Sequence, residues 1–155
     1  MRVLMQRVRE ASAVVLNELD GIDPTFDPQY IGPGLVLTVE IEPGDGEREL
    51  SHMAHRILTA RCFDGPDGRL CACIQDIGGE ILSVPQPLSG FERHAMGAPR
   101  LTSADADGEH ANIMWIRLNE ALRSGGVPVR EGRYGAHMRV GMVTDGPLNL
   151  MLSSN

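Results

Sequence analysis

The stretch VPVREGRYGAHMRVGMVTDGPLNLML occupies residues 127–152, and its reading decides the fold. Valine, methionine and leucine recur between short polar breaks, a composition suited to pleated, half-buried strands. The spacing predicts three strands, over 127–134, 137–144 and 148–152. Between the last two, Asp145-Gly146 is hairpin chemistry, because glycine accepts positive φ with no Cβ to clash. Pro147 is less ordinary: it has no N–H for a strand ladder, and an X-Pro bond takes cis or trans at modest cost. Gly146-Pro147 is therefore a rigid, bare piece of backbone, either a plain turn or main chain presented to a ligand. The sequence leaves its isomer open.

Outward from this stretch the chain alternates strands with two helices. Residues 1–16 are apolar and β-branched apart from Arg7-Val8-Arg9-Glu10, and read as two strands or one bent strand. Residues 17–33 hold Asp, Gly and three prolines and read as a loop. GLVLTVEI, 34–41, is a nearly continuous apolar run, the mark of a buried central strand. Leu50, Met53, Ala54, Ile57 and Leu58 then repeat at helical spacing over 47–60, with Asp45 placed to cap the first turn. DGPDG, 64–68, is a turn. GGEILSVPQ, 78–86, is a strand that ends among prolines, and 87–108 reads mostly as loop. Ala111, Met114, Trp115, Leu118 and Leu122 mark a second helix, closed by Gly125-Gly126. Two helices among many strands indicate a mixed α/β fold rather than a regular doubly wound sheet.

Composition narrows the function. The length of 155 residues fits a single domain, 1–155, and no run of 18 apolar residues exists to span a membrane. Charges within the first ten residues leave no room for the apolar centre of a signal peptide, so the expectation is a soluble cytoplasmic protein. A net charge of −7 argues against a broad nucleic-acid face and against DNA as a partner, though a protein that grips only the end of a nucleic acid escapes that argument. Cys62, Cys71 and Cys73 lack CxxC spacing and read as reduced thiols; Cys71 and Cys73 share one strand face, with no neighbouring base to activate them. His52 and His55 sit three apart at a helix edge with no matching third ligand, so no metal is expected. Motifs for phosphate, dinucleotide, serine-hydrolase or zinc-hydrolase chemistry are absent, and no cofactor is expected.

Several blocks in order carry a more specific signal. They are MRVLMQRVREASAVV at the start, IGPGLVL, DIGGE at 76–80, GGEILSVPQPLSG, GVPV from Gly126, GRYGAHM from Gly132 and TDGPLN from Thr144. Together they make the chain resemble the D-aminoacyl-tRNA deacylase family over nearly its whole length, with an apparent insertion within 17–30.

The resemblance implies a three-layer β/β/α sandwich with mixed, mostly antiparallel sheets and two main helices. It also implies a homodimer that binds the 3′ end of an aminoacyl-tRNA and hydrolyses the ester to a D-amino acid. In such proteins the Gly-Pro main chain, here Gly146-Pro147, reaches into the partner's pocket and screens chirality, and Arg7 falls where an arginine would prop that turn. Water is activated with help from the RNA's ribose hydroxyl, and backbone amides steady the oxyanion, so no triad or metal is needed.

The family's Ser-Gln-Phe-Thr motif stands here as Pro85, Gln86, Pro87 and Leu88, with Ser89 a candidate replacement for the threonine hydroxyl. Thr144 replaces the asparagine and Asn149 the threonine of the second motif. Pro85-Gln86 and Thr144 resemble a sister branch that edits misacylated tRNA with relaxed chirality. The expected site is thus Gln86, Pro87, Leu88 and Ser89 for catalysis, with Pro85, Thr144, Gly146, Pro147, Asn149 and Arg7 around the substrate. Two readings remain: a deacylase acting on D-amino acids, glycine or a small L-amino acid, or an inactive protein on the same fold that binds a tRNA end or similar ligand.

Overall fold

A computed structural model of the chain describes residues 1–86, 91–93, 99–101 and 108–154. Its centre is the apolar run of the sequence, β3 (Gly34–Glu40), buried on both sides as expected. One neighbour is β1 (Arg2–Val15), a single 14-residue strand that runs antiparallel to β3 over Arg2–Val8. The other is β6 (Glu80–Pro85), parallel to β3, followed by β9 (Val129–Glu131), parallel to β6. β10 (Met138–Ser153) lines the far side of β1 antiparallel, giving the order β10-β1-β3-β6-β9. Two short ribbons lie apart from this sheet, β4 (Phe63–Asp64) with β5 (Leu70–Ala72) and β7 (Phe91–Arg93) with β8 (Pro99–Leu101).

Parallel neighbours need crossover connections, and each crossover here carries a helix. α1 (Glu47–Thr59) lies between β3 and β6, and α2 (Gly108–Ser124) between β6 and β9. Both helices pack on one face of the sheet. Leu50, Met53 and Ile57 of α1 join Met114, Trp115, Leu118 and Leu122 of α2 against Val3, Met5, Leu35, Leu37 and Ile81. The α1 cap differs from expectation: Gly46 is the N-cap residue, and its N–H donates to Glu49 Oε2 at 3.0 Å. Asp45 is turned away, accepting from Glu42 N at 2.7 Å and from the Met1 α-amino group at 2.6 Å, so the charge of the amine outbids the helix amides for it.

The second β layer comes from β1 and β10 themselves. Beyond Val8 they outrun β3 and their distal halves pair with each other, while β2 (Gln29–Ile31), a strand inside what reads as loop, pairs with β1. Val8, Ala11, Ala13 and Ile31 from this part pack on Val36, Leu82 and Val84 on the face opposite the helices. Such a wrap requires β1 to change face, and its burial pattern does so. Val3 and Met5 face the helices, whereas Ala11 and Ala13, of the same parity, face the second layer. Strand side chains alternate with period two, so one extra residue inverts the pattern. The register supplies it: Val8 pairs with Thr144 but Glu10 with Val143, leaving Arg9 as a bulge.

The segment 17–30 is tied down by Arg133. Its guanidinium donates to Asp23 Oδ2 at 3.3 Å and to Thr25 O at 3.0 Å, and lies 5.3 Å from the Phe26 ring centre. The Thr25 hydroxyl and amide, and then Arg133, hold the Asp23 carboxyl below the usual range. Because that carboxyl is depressed in the folded chain, the clasp is complete above the ordinary carboxylate range and is lost as pH falls through the lowered folded value. NMR titration is expected to find Asp23 among the last aspartates to protonate, and Asp23→Asn to abolish that late step.

The helix-side core is closed to solvent at Ile57 and Met53 of α1. Ile57 is 0% exposed, so Ile57→Ala is expected to cost about 2–5 kcal/mol through lost transfer energy and a cavity. Urea unfolding with an unchanged slope checks this.

Candidate active site

The largest departure from the expected hairpin lies at Asp145-Gly146. No turn separates two strands there; β10 runs through it as one 16-residue strand. Gln6 pairs with Asn149 and Val8 with Thr144, so two steps along β1 match five along β10. The surplus, Asp145 to Leu148, swells out of the ladder as a wide bulge opposite Arg7. Hairpin chemistry was the right residue reading in the wrong setting: Gly146 has φ +123°, but β1 continues alongside and keeps the chain extended. The Gly146-Pro147 peptide is cis, and both residues are exposed.

Arg7 holds this bulge from behind. Its side chain is only 11% exposed. Nε donates to Asp145 O at 3.0 Å, and Nη1 donates to Cys62 O at 2.9 Å. The Asp145 and Asp64 carboxylates lie at 3.9 and 4.0 Å and balance its charge. A planar guanidinium suits this task, since one rigid fork spans two fixed acceptors. A Cβ on Gly146 would stand 3.0 Å from Leu148 N and 3.1 Å from Arg7 Nη2, so glycine permits the close approach as well as the φ. Leu148 turns inward onto the helix-side core and anchors the exit of the bulge. Thr144 and Asn149, both exposed, bracket it on either side.

The second group of expected residues is elsewhere. Pro85 ends β6 beside Val39, and Gln86 N donates to Val39 O at 2.9 Å, leaving Gln86 exposed at the strand end. Pro87, Leu88 and Ser89 lie outside the described residues. Pro85 is in register with Val39, Val3 and Leu152, whereas the bulge opens beyond Asn149, in register with Gln6, Val36 and Leu82. The two groups are three strands apart, roughly 14 Å at about 4.8 Å per strand, and at least three residues apart along them, roughly 10 Å. One chain does not bring Gln86 to Gly146-Pro147.

Behind Pro85 the strand is fixed by a buried polar pair that sequence reading passed over. Trp115 Nε1 donates to Ser83 Oγ at 2.8 Å, with Ser83 fully buried. The sequence marked Trp115 as core, but a buried indole needs an acceptor, and a serine within an apolar strand was the available signal. Cys62 was also missed as a partner of Arg7, because its contribution is a carbonyl, which any residue type would offer. His52 and His55 are exposed on α1 as expected.

Among known proteins, the family model described as D-Tyr-tRNA(Tyr) deacylase matches residues 4–153. The chain belongs to the D-aminoacyl-tRNA deacylase family. The D-aminoacyl-tRNA deacylase of Bifidobacterium longum is 51% identical over 154 residues, which are 99% of this chain and 94% of that protein. That of an Exiguobacterium species is 37% identical over 155 residues, covering 100% and 99%. A solved structure of the c-Myc DNA unwinding element binding protein superposes with TM-score 0.80 at 26% identity, over 100% of this chain and 99% of that one. A probable eukaryotic D-amino acid tRNA deacylase superposes with TM-score 0.73 at 17% identity, over 97% of each, and supports the deacylase fold. The deacylase family consists of hydrolases that act on aminoacyl-tRNA.

Removing the prop tests its energetic role. Arg7→Ala leaves the part-buried Asp145 and Cys62 carbonyls without their charged donor, an expected loss of about 1.5–3 kcal/mol in urea unfolding. Arg7→Lys keeps the charge but not the fork, and is expected to recover only part of it.

Proposed function

We propose that this chain is a D-aminoacyl-tRNA deacylase working as a homodimer, whose active sites are each built from two subunits. The observation that carries this reading is the separation of Gln86 from Gly146-Pro147 within one chain, together with the open edge on which the bulge stands. Among the described residues β10 pairs only with β1, and along it Val143, Leu150 and Met151 are 49%, 40% and 58% exposed. A long, partly apolar edge strand is a liability unless something covers it. A second copy packed there by two-fold symmetry would hide those side chains and carry each Gly146-Pro147 toward the other subunit's Gln86.

The chemistry asked of such a site is modest. The substrate brings an activated ester and, next to it, a ribose hydroxyl that helps water attack the carbonyl. The protein supplies orientation and amide dipoles for the developing oxyanion, worth about 2.7–4 kcal/mol per donor. Pro87 has no N–H, so in the segment 87–89 the donors fall to Leu88 and Ser89, with the Ser89 hydroxyl in place of the family's threonine. Exposed main chain at Gly146-Pro147 discriminates by shape: an L side chain turned toward it meets rigid backbone, while a D side chain or glycine turns away. Gripping only the tRNA end reconciles an RNA substrate with a net charge of −7. The reaction belongs in the cytoplasm, where charged tRNA is found.

The rewritten Pro85–Leu88 motif favours one second reading: the same dimer binds a tRNA end without cleaving it. Hydrolysis of D-Tyr-tRNA, Gly-tRNA and L-Ala-tRNA decides between them, with a Gly146→Ala/Pro147→Ala variant as control. The expected outcome is fast release from D-Tyr-tRNA and Gly-tRNA, slow release from L-Ala-tRNA, and altered discrimination in the control. A folded dimer that binds these tRNAs and releases none of the amino acids would overturn the deacylase reading in favour of binding.

A further inference from the structure

The carbonyl that anchors Arg7 belongs to a cysteine that leads into β4, and a second cysteine follows β5. β4 and β5 are antiparallel, with Phe63 paired to Ala72. The register shifts between Phe63 and Asp64, but the Phe63–Ala72 pairing, carried one residue beyond both strands, would set Cys62 across from Cys73, and charge on Cys73 acts on Cys62. Directly opposed residues in an antiparallel pair have Cα atoms about 4.5 or 5.5 Å apart. Both spacings fall within the roughly 4.4–6.8 Å window of a disulfide. Cys71 and Cys73, two steps along one strand, are separated by about 6.6–6.8 Å, at the limit of that window. All three thiols are free in this structure.

The two opposed thiols have unequal surroundings. Cys62 is 2% exposed and belongs to the helix-side core. Burial pushes its thiol up, against the pull of the Arg7 guanidinium, and charge on Cys73 adds to the rise. Cys73 is half-buried, and its Sγ donates to Asp76 Oδ2 at 3.1 Å, with Gln75 Oε1 at 3.2 Å. Hydrogen bonds from the Cys73 amide and thiol hold the Asp76 carboxyl below its usual range.

We propose that Cys62 and Cys73 are a reversible dithiol–disulfide pair, oxidised by a hydroperoxide, that locks the Cys62 anchor of Arg7. The more accessible Cys73 thiolate attacks the terminal peroxide oxygen. The O–O bond breaks, releasing an alcohol or water and leaving a sulfenic acid. Cys62 sulfur then attacks the sulfenic sulfur; the S–O bond breaks, and hydroxide leaves as water with the Cys62 proton. The two sulfurs give up two electrons and the peroxide takes them. The new bond fixes Cys62 to the residue that follows β5, and with it the carbonyl that receives Arg7 Nη1.

The full-length protein is treated with hydrogen peroxide, alkylated and digested without reductant, and the cross-linked peptides are identified by mass. The expected product joins Cys62 to Cys73, leaves Cys71 alkylated, reverts with dithiothreitol, and still forms in Cys71→Ser. Asp76→Ala removes the carboxylate to which the Cys73 thiol donates and is expected to speed its formation several-fold. Amide exchange over 144–149 is expected to slow several-fold in the oxidised protein. Links through Cys71, links between chains, or oxidation of Cys73 to sulfinic acid with no link would overturn the pairing. Unchanged exchange over 144–149 would overturn the coupling to Arg7. Each readout is taken on the protein alone, so none stands or falls with deacylation.

Discussion

One guanidinium ties the parts of this molecule that matter together. Arg7 reaches from the middle of β1 to the backbone of Asp145 on one side and of Cys62 on the other. Asp145 begins the bulge, and Cys62 begins the ribbon that follows α1. Without that fork the surplus residues of β10 would have no reason to keep one shape, since the bulge interrupts the ladder that elsewhere specifies the strand. The cost of seating a charge at 11% exposure is offset by two carbonyls and two carboxylates around it. Gly146 completes the arrangement from the other side, because a side chain there would collide with the arginine.

The bulge in turn depends on the bend in β1. A flat sheet would leave Ala11 and Ala13 on the helix side, away from Val36, Leu82 and Val84. The single-residue slip at Arg9 turns the distal half over and creates the second β layer. Arg7 therefore sits at the hinge between layers, and the bare Gly146-Pro147 peptide is displayed where the sheet changes direction. Gly34 serves the same architecture elsewhere: a Cβ would fall 1.8 Å from Glu80 O, so the parallel β3-β6 pair closes only over glycine.

Much of this was legible in the sequence. The buried run of β3, the periodic faces of α1 and α2, and the strand ends at Pro85 follow from local composition, and the ordered blocks announced the family. What escaped shares a physical cause. Asp145-Gly146 reads as a hairpin because turn propensity is local, whereas a continuous partner strand is a tertiary fact. Asp45 reads as a cap because the competing amine is 44 residues away. The resemblance set Arg7 near the Gly-Pro turn, and its side chain does bond the Asp145 carbonyl, but its Cys62 anchor is main chain, invisible to residue type. The distance between Gln86 and Gly146-Pro147 needed the strand register, which no single segment encodes.

That distance underlies the central claim, that each active site takes residues from two subunits. Mixing two variants tests it directly: Gln86→Ala, expected to lose hydrolysis, and Gly146→Ala with Pro147→Ala, expected to lose discrimination, co-refolded in equal amounts and assayed on D-Tyr-tRNA and L-Ala-tRNA. If sites are shared, half of the dimers are mixed, each mixed dimer contains one intact site, and preference for D-Tyr-tRNA returns in part. If each chain forms its own site, every site in the mixture carries a defect, and the preference stays at that of the Gly146→Ala/Pro147→Ala variant alone.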